Sequence, residues 1–126
     1  METITKKMDI RGIADKFVYL RNHDEAARLR AELYSPDFES IEDGNDSGIG
    51  HVKGMAGLKK KGQGLSQEFE VHHIKASDPV AADNFFSLKF EIDVTNKRSG
   101  IRSLLSEIGV YKVADGKIIK EHYFMF

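Results

Sequence analysis

Residues 104–126 decide the fold, and they have the sequence LLSEIGVYKVADGKIIKEHYFMF. Apolar and polar residues alternate on both sides of the Asp115-Gly116 pair, which is the pattern of two antiparallel strands joined by a tight turn. Asp-Gly suits such a turn because its two central residues need a positive φ angle. The stretch therefore predicts a β-hairpin whose turn spans Ala114 to Lys117.

Alternation along these two strands assigns each side chain to one of two faces of the sheet. The face that we expect to look inward contains Leu105, Glu107, Gly109, Tyr111, Val113, Ile119, Glu121, Tyr123 and Met125. The opposite face contains Leu104, Ser106, Ile108, Val110, Lys112, Ile118, Lys120, His122 and Phe124. Neither face is wholly polar, so both need a cover. We expect helices of the same chain on one face and a second copy of the chain on the other.

Upstream of this hairpin, the pattern of apolar residues predicts helices first and strands afterwards. We predict helices over residues 4–20, 24–34 and 54–68, and strands over residues 38–42, 69–76 and 80–95. The third helix contains four glycines that weaken it but allow close packing against the sheet. The longest strand places Phe86, Leu88, Phe90, Ile92 and Val94 on one face. This order predicts an α+β fold, with the helices packed on one face of a curved antiparallel sheet.

The size and charge of the chain limit what it can be. Its 126 residues, 40% of them hydrophobic, fit a single domain over residues 1–126. A net charge of −1 gives no electrostatic reason to expect nucleic acid or an anionic membrane as a partner. We find no apolar run of the roughly 18 residues that a membrane helix needs, and no secretory signal. With no cysteine, the composition favours a cytoplasmic protein.

Three kinds of ion or phosphate site are disfavoured. The acidic, glycine-rich residues 43–50 lack the spacing and the closing glutamate of a calcium loop. The glycines of the third helix precede no Gly-Lys-Ser/Thr motif, and we interpret Lys53 and Lys59–Lys61 as a solvated basic patch. The histidines show no spacing typical of metal ligands. We therefore expect no metal and no cofactor.

The order of elements and several short motifs resemble the SnoaL-like branch of the nuclear-transport-factor-two-like superfamily. The motifs are Lys61-Gly62, Phe69-Glu70-Val71-His72, Asp93-Val94-Thr95 with Lys97, Gly100 with Arg102, Glu107-Ile108, and Asp115-Gly116-Lys117-Ile118 with Glu121. The resemblance implies a cone of the cystatin-like roll type, with a strongly curved sheet, an apolar pocket and a homodimeric assembly. It implies less about function, because the superfamily includes isomerases, cyclases, hydrolases and binding proteins.

Residue by residue, the resemblance argues against a standard isomerase or cyclase. Ketosteroid isomerases and SnoaL-type cyclases place an aspartate on the strand before the terminal turn, and alignment on that turn puts Gly109 there. Glycine has no side chain that could move a proton. The other carboxylate of the isomerases falls near Glu42 or Asp43, and their helix-one tyrosine falls near Lys16, with Tyr19 one turn away.

Glu107 and Glu121 are the strongest candidates for chemistry, since both belong to the inward face. An apolar cavity raises the pKa of a carboxyl group and prepares it for acid–base catalysis. His72, chosen from the family motif, is the candidate third group, although the sequence leaves open whether His72 or His73 faces inward. In the alternative, structural role, Glu107 forms a buried ion pair with Arg102, Lys112 or a histidine.

The predicted ligand is a small hydrophobic or aromatic molecule, because aromatic residues would make the cavity apolar. The predicted ligand-binding residues are Phe17, Tyr19, Glu42, Phe86, Phe90, Tyr111, Tyr123 and Met125. Two other functions stay open: an isomerase-, cyclase- or hydrolase-type enzyme that uses the carboxylates and the histidine, and a dimeric interaction module with a vestigial pocket. In each case we expect a homodimer through the outer sheet face, formed by Leu104, Ile108, Val110 and Phe124.

Overall fold

The structure is a computed structural model that describes residues 9–43 and 51–125. Within these residues the helices are α1 (Ile10–Asn22), α2 (Ala26–Leu33) and α3 (Gly54–Glu68). The strands are β1 (Tyr34–Asp43), β2 (His51–Lys53), β3 (Phe69–Ala76), β4 (Val80–Ala82), β5 (Phe85–Asn96), β6 (Arg102–Ala114) and β7 (Lys117–Met125). The predicted α+β class is confirmed. Apart from Asp43, the predicted loop at residues 43–50 lies outside the described residues.

The strands form one open sheet in the order β2-β1-β7-β6-β5-β3, with β4 paired to β5. All pairs are antiparallel except β1 and β7, which run parallel. The expected antiparallel sheet is therefore wrong at this one pair, and the sheet is mixed. Parallel neighbours need a long connection, and the chain between β1 and β7 supplies it through α3 and the other strands. Among the described helices, none is long and apolar enough to cross a membrane.

The predicted closing hairpin is confirmed. Its turn consists of Asp115 and Gly116, with φ angles of 51° and 75°, and Ala114 pairs with Lys117 across it. Positive φ at both central positions is the geometry of the turn that Asp-Gly favours, and it matches the twist of the flanking strands. The turn therefore sets where β6 and β7 begin to pair.

A β-bulge next to this turn changes the predicted faces of β7. The pairing shifts between Lys112, opposite Lys120, and Val113, opposite Ile118, so that Ile119 is the extra residue. As a result Ile118 is fully buried on the inner face, where strict alternation had placed Ile119. From Lys120 onward the predicted faces hold, and Glu121 is buried as expected.

The predicted strand over residues 80–95 is two strands. A tight turn at Asp83, with a φ angle of 52°, folds β4 back on β5, so that Val80 pairs with Ser87. The predicted inner face of β5 is nevertheless confirmed, because Phe86, Phe90 and Val94 are all less than 5% exposed. A break within the apolar run therefore leaves the alternation on its longer part intact.

The helices α1 and α2 cover part of the inner face with a dense aromatic core. Asp9 caps α1 by accepting a hydrogen bond from the Gly12 amide at 2.8 Å. The Phe17 ring of α1 lies 5.6 Å from the Phe86 ring and 4.7 Å from the Tyr111 ring, measured between centroids. This packing fills the space beneath α1, so any cavity must lie beside it, beneath α3.

The third helix packs more loosely than the other two. It has the predicted bounds, Gly54–Glu68, and none of its residues is buried. A Cβ atom added to Gly57 would lie 2.7 Å from the Val52 Cβ atom, so this glycine allows α3 to approach β2 closely. The helix therefore closes the remaining part of the inner face without filling it.

Candidate functional site

A cavity of about 210 Å³ lies between α3 and the inner face of the sheet. Its apolar wall consists of Leu58, Leu65, Ile74, Phe90, Ile92, Val94 and Leu105. Its polar lining consists of Arg21, Arg30, Glu42, Lys61, Glu107, Glu121 and Tyr123. At ~30 Å³ per water molecule, 210 Å³ corresponds to roughly seven waters. Since ligand sites usually measure ~300 Å³ or more, this cavity fits only a small molecule.

Glu121 is held at the bottom of the cavity by two hydroxyl groups. Tyr34 donates a hydrogen bond to its Oε1 atom at 2.5 Å, and Ser40 donates to its Oε2 atom at 2.8 Å. Its side chain is 1% exposed. A buried carboxylate that accepts two hydrogen bonds is compensated for much of its lost hydration. Glu121 is therefore fixed in one orientation, and both of its oxygens are already engaged.

Lys61 joins α3 to this network. Its Nζ atom donates to the Ser40 hydroxyl at 2.9 Å and lies 3.3 Å from the Glu42 carboxylate. Its side chain is only 10% exposed, so the interpretation of Lys61 as part of a solvated basic patch is wrong. The serine hydroxyl can accept from the lysine and donate to Glu121 at the same time. Three elements, α3, β1 and β7, thus meet in one chain of polar contacts.

Glu107 faces the same cavity with far fewer contacts. In the described part of the chain, no hydrogen bond or ion pair reaches its carboxylate. Burial raises the pKa of Glu107 to about 7, and the negative charges of Glu42 and Glu121 act in the same direction against Lys61 and Arg21. The ion pair with Arg102, one option of the alternative structural role, is not formed, because that arginine binds Asp93 through two hydrogen bonds of 2.8 and 2.9 Å. Glu107 can therefore exchange a proton near neutral pH.

Two tyrosines supply neutral donors at the site, and one of them shares the cavity with Glu107. The Tyr111 hydroxyl donates to the Tyr123 hydroxyl at 3.0 Å. Burial raises the pKa of both tyrosines well above the usual value, and the charge of Glu121 adds to the effect. Both hydroxyls therefore keep their protons at physiological pH, and of the two residues Tyr123 lines the cavity.

Gly109 leaves room that the Tyr111 ring occupies. A Cβ atom at Gly109 would lie 2.9 Å from both Cε2 and the hydroxyl oxygen of Tyr111, and 3.1 Å from a ring carbon of Phe90. Atoms cannot approach so closely without a shift of the ring. An aspartate at this position, which the resemblance led us to look for, would therefore not fit beside Tyr111.

Arg21 and Arg30 are lining residues that the sequence did not reveal. They lie in the last turns of α1 and α2, where a cation also interacts favourably with the helix dipole. The Nε atom of Arg21 is buried, and it has no hydrogen-bond partner within the described residues. The one available signal was that Arg21 is four residues after Phe17, on the same side of the helix.

Of the predicted site residues, five line the cavity: Glu42, Phe90, Glu107, Glu121 and Tyr123. Phe17, Phe86 and Tyr111 lie in the adjacent core and support the wall instead. Tyr19 is 56% exposed and stacks on His23, so the structure places it outside the site. Backbone pairing puts Met125 opposite Glu107, and its part in ligand binding stays a prediction.

His72 does not reach the cavity. A bulge between Val71 and His73 interrupts β3, and the inner face resumes at Ile74. His72 is exposed and shares a 2.7 Å hydrogen bond with the Thr95 hydroxyl, while His73 is exposed as well. The expectation that one of the two histidines faces inward is therefore wrong, because the bulge turns both toward solvent.

A larger depression, of about 450 Å³, lies elsewhere on the surface. Its lining residues are Asn22, Lys75, Ala76, Ser77, Asp78, Lys89 and Glu91. Lys89 and Glu91 form an exposed ion pair at 3.2 Å, and the Asn22 amide exchanges two hydrogen bonds with the Ala76 backbone. These contacts tie α1 to the sheet edge and leave no buried reactive group, so we regard the smaller cavity as the candidate site.

The described residues contain no group of three or more histidine, aspartate or glutamate side chains placed to hold a metal ion. The polar side chains that line the cavity can transfer protons, form hydrogen bonds and carry charge.

Comparison with known structures places this geometry among related proteins. A structure from Mesorhizobium loti, which has the provisional name of a SnoaL-like polyketide cyclase and carbohydrate phosphatase, is 30% identical. The alignment covers 92% of this chain and 98% of that chain, with a TM-score of 0.82. No protein of curated function matches the chain significantly.

Two more distant structures share the fold alone. An NTF2-like protein of unknown function from Burkholderia pseudomallei is 13% identical, with coverage of 94% of this chain and 92% of that one and a TM-score of 0.76. A protein with a cystatin-like fold from Xanthomonas campestris is 20% identical, with coverage of 94% and 91% and a TM-score of 0.72.

The sequence also matches a protein-family model. This family model describes the SnoaL-like domain, and it matches residues 8–125. The chain therefore belongs to the SnoaL-like family.

Proposed function

We propose that this SnoaL-like protein binds a small hydrophobic or aromatic molecule in the cavity beneath α3. The supporting observation is the cavity itself, in which seven apolar side chains form a wall that ends at buried polar groups. An apolar pocket with a few convergent polar groups is the usual design of a small-molecule site. At about 210 Å³ the cavity admits a single ring or a short chain rather than a polycyclic molecule.

Binding of single-ring compounds, followed by ligand-observed NMR, tests this proposal. Leu105 lines the cavity, whereas its neighbour Leu104 lies on the opposite face and is 61% exposed. We expect phenol and related compounds to bind the wild type and the Leu104→Trp variant, and to lose binding in Leu105→Trp, where the indole fills the cavity. Equal binding to both variants would place the ligand elsewhere, and no binding to the wild type would refute the proposal.

Acid–base catalysis is the second candidate function, and Glu107, which has no hydrogen bond or ion pair with a described residue, favours it. Its pKa of about 7 suits a group that must accept a proton and return it. In an isomerase-, cyclase- or hydrolase-type reaction, Glu107 would act as the base. Tyr123 would donate a hydrogen bond to the developing oxyanion, and Glu121 would hold the polar network in place. This version needs no histidine, since His72 lies outside the cavity.

Deuterium exchange into a small ketone tests the catalytic candidate. A base next to a hydrogen-bond donor should exchange the protons beside the carbonyl group of bound cyclohexanone in D₂O. We expect the wild type to accelerate this exchange and the Glu107→Gln variant to lose the acceleration by at least about 100-fold, the usual contribution of a general base. If the two proteins exchange equally, binding without catalysis is the better description.

The same proposal includes a homodimer through the outer face of the sheet. Leu104 and Ile108 on that face are 61% and 39% exposed, which is typical of a surface that a partner covers. Ile108 pairs with Phe124 across β6 and β7, so the apolar residues are adjacent. A cytoplasmic location is also part of the proposal, and it rests on the sequence alone.

A further inference from the structure

The charges around the cavity are not balanced by the contacts that the protein makes. Three cations line it, Arg21, Arg30 and Lys61, but only Lys61 is engaged, through Glu42 and the Ser40 hydroxyl. Within the described residues neither arginine has a carboxylate oxygen within 4.0 Å or a side-chain hydrogen bond. The two arginines are therefore cations in a largely apolar cavity, and the described part of the chain offers them no anionic partner.

Arg21 has the clearest need for a partner. Its Nε–H group is buried away from water and donates to no described group. Buried donors in native proteins are almost always satisfied, and a buried charged donor is the rarest exception. An acceptor that enters the cavity would supply the missing bond. The planar fork of a guanidinium group matches the two oxygens of a carboxylate, which it can bind through parallel hydrogen bonds.

The position of the arginines explains how one anion could meet both. Arg21 lies in the last turn of α1 and Arg30 in the last turn of α2, and both contribute to the same cavity lining. The apolar wall belongs to other elements, α3 and the strands. A molecule with one charged end and one apolar end would therefore satisfy both parts of the cavity at once.

The net charge indicates that the anion has a single charge. Below about pH 7, where Glu107 is protonated, the described lining has three cations against two carboxylates, Glu42 and Glu121, which leaves one positive charge. A monoanion would neutralise it while Glu107 stays protonated, whereas a dianion such as a phosphate monoester would leave an excess negative charge in an apolar site. The volume of about 210 Å³ limits the apolar part to a single ring or a short chain.

We infer that the ligand of this cavity is a small organic monocarboxylate, with its carboxylate held by Arg21 and Arg30 and its apolar body against the wall beneath α3. The inference rests on the proposed function, since it assigns a chemical class to the molecule that the cavity binds.

Benzoate and benzamide provide the test, because they share a ring and differ in charge. Titration of the wild type, followed by NMR or calorimetry, should show benzoate binding at least about tenfold more tightly than benzamide, since hydrogen bonds between charged groups exceed neutral ones. In Arg21→Gln this preference should fall to about twofold or less. Arg21→Lys should give an intermediate preference, because it keeps the charge and loses the fork.

Arg11→Gln is the matched control. Arg11 lies on the same helix, but it is exposed and forms an i,i+4 pair with Asp15, so its loss should leave the preference for benzoate unchanged. Equal binding of benzoate and benzamide to the wild type would overturn the inference and leave the proposed function standing. No binding of either compound would overturn both. If Arg21→Gln fails to fold, the comparison of benzoate with benzamide on the wild type still tests the inference.

Discussion

Glu107 shows how one side chain couples the stability of the protein to its site. Its pKa rises from 4.5 to about 7 on folding, so the folded state favours the protonated form. Between these two values the folded protein binds more protons than the unfolded chain, and the free energy of unfolding therefore falls as pH rises. The contribution is fully present below about pH 4.5 and is lost as pH passes through about 7. The raised pKa of Glu107 therefore lowers the free energy of unfolding at high pH, and it also allows this group to exchange a proton near neutral pH.

We expect Glu107→Gln to stabilise the protein at pH 8 but not at pH 5. The amide cannot ionise, so it avoids a penalty on the order of 2 kcal/mol, after the partial exposure of the side chain is discounted. Urea unfolding at the two pH values measures the difference. Glu70→Gln, at an exposed position on β3, is the control and should show no such dependence on pH. A stabilisation that is equal at both pH values would contradict the shifted pKa.

We expect Gly109→Ala to destabilise the protein by about 1–3 kcal/mol, the usual cost of overpacking a core. The reason is that the new methyl group would lie 2.9 Å from the Tyr111 ring. Gly62→Ala is the matched control, since its Cβ atom would meet nothing within 4 Å. That change should stabilise α3 by roughly 0.5–1 kcal/mol, because alanine favours a helix. Equal changes of the melting temperature in the two variants would contradict the close contact between a Cβ atom at position 109 and the Tyr111 ring.

Among the secondary-structure elements, α3 is the one most able to open. It buries no residue, and four of its fifteen residues are glycines. Helices with few buried contacts exchange their amide hydrogens through local opening rather than global unfolding. Because α3 forms one side of the cavity, its opening would admit a ligand. Its attachment to the sheet depends on Lys61, which reaches both Ser40 and Glu42 of β1.

We therefore expect Lys61→Met to accelerate hydrogen exchange in α3 and to leave α1 unchanged. The substitution keeps the length of the side chain but removes the contacts with Ser40 and Glu42, at a cost of about 1–3 kcal/mol. Exchange followed by mass spectrometry locates the effect. Lys59→Met, at an exposed position of the same helix, should have no effect. Faster exchange throughout the protein would indicate that the contact stabilises the whole fold rather than α3.

The hairpin, the helices and the bulges show what sequence patterns can and cannot predict. The turn at Asp115-Gly116 was predictable, because its geometry depends on two adjacent residues. The bulges at Ile119 and next to His72 were not, because an extra residue in a strand leaves the local alternation unchanged while it reverses the faces beyond it. The bulge at Ile119 affects only the predicted faces of Ile118 and Ile119, so Glu121 lies on its predicted face, as Glu107 does. His72, which was chosen from the family motif, lies at the bulge of β3 and is exposed.

Contacts between distant elements were the other part that the sequence did not reveal. Arg21 and Lys61 line the same cavity as Glu121 although they belong to α1 and α3, and this proximity depends on the whole fold. The parallel pairing of β1 with β7 is of the same kind, since nothing near Ser40 indicates that Glu121 will lie beside it. The carboxylates were predictable from alternation, whereas their partners were not.

The inner face of the sheet is covered by the protein's own helices, whereas no helix among residues 9–43 and 51–125 covers the outer face. We expect a dimer in sedimentation velocity at micromolar concentration, and we expect Ile108→Glu to shift it to the monomer, because a charge would be buried in the contact. Met55→Glu, on α3, should leave the dimer intact, although Met55 is 47% exposed. A wild-type monomer would contradict the proposal.

The Tyr111 ring above Gly109 has a consequence for how this fold could change its chemistry. An aspartate at position 109 would be harmful while the ring is present, and a smaller residue at position 111 would leave an unfilled core while the glycine is present. Each replacement is costly by itself, whereas a smaller residue at position 111 removes the tightest contacts that a side chain at position 109 would make. An evolutionary or engineered path from this protein to a relative with aspartate at position 109 therefore passes through single variants that are less stable. Combinatorial libraries that vary positions 109 and 111 at the same time avoid these single variants.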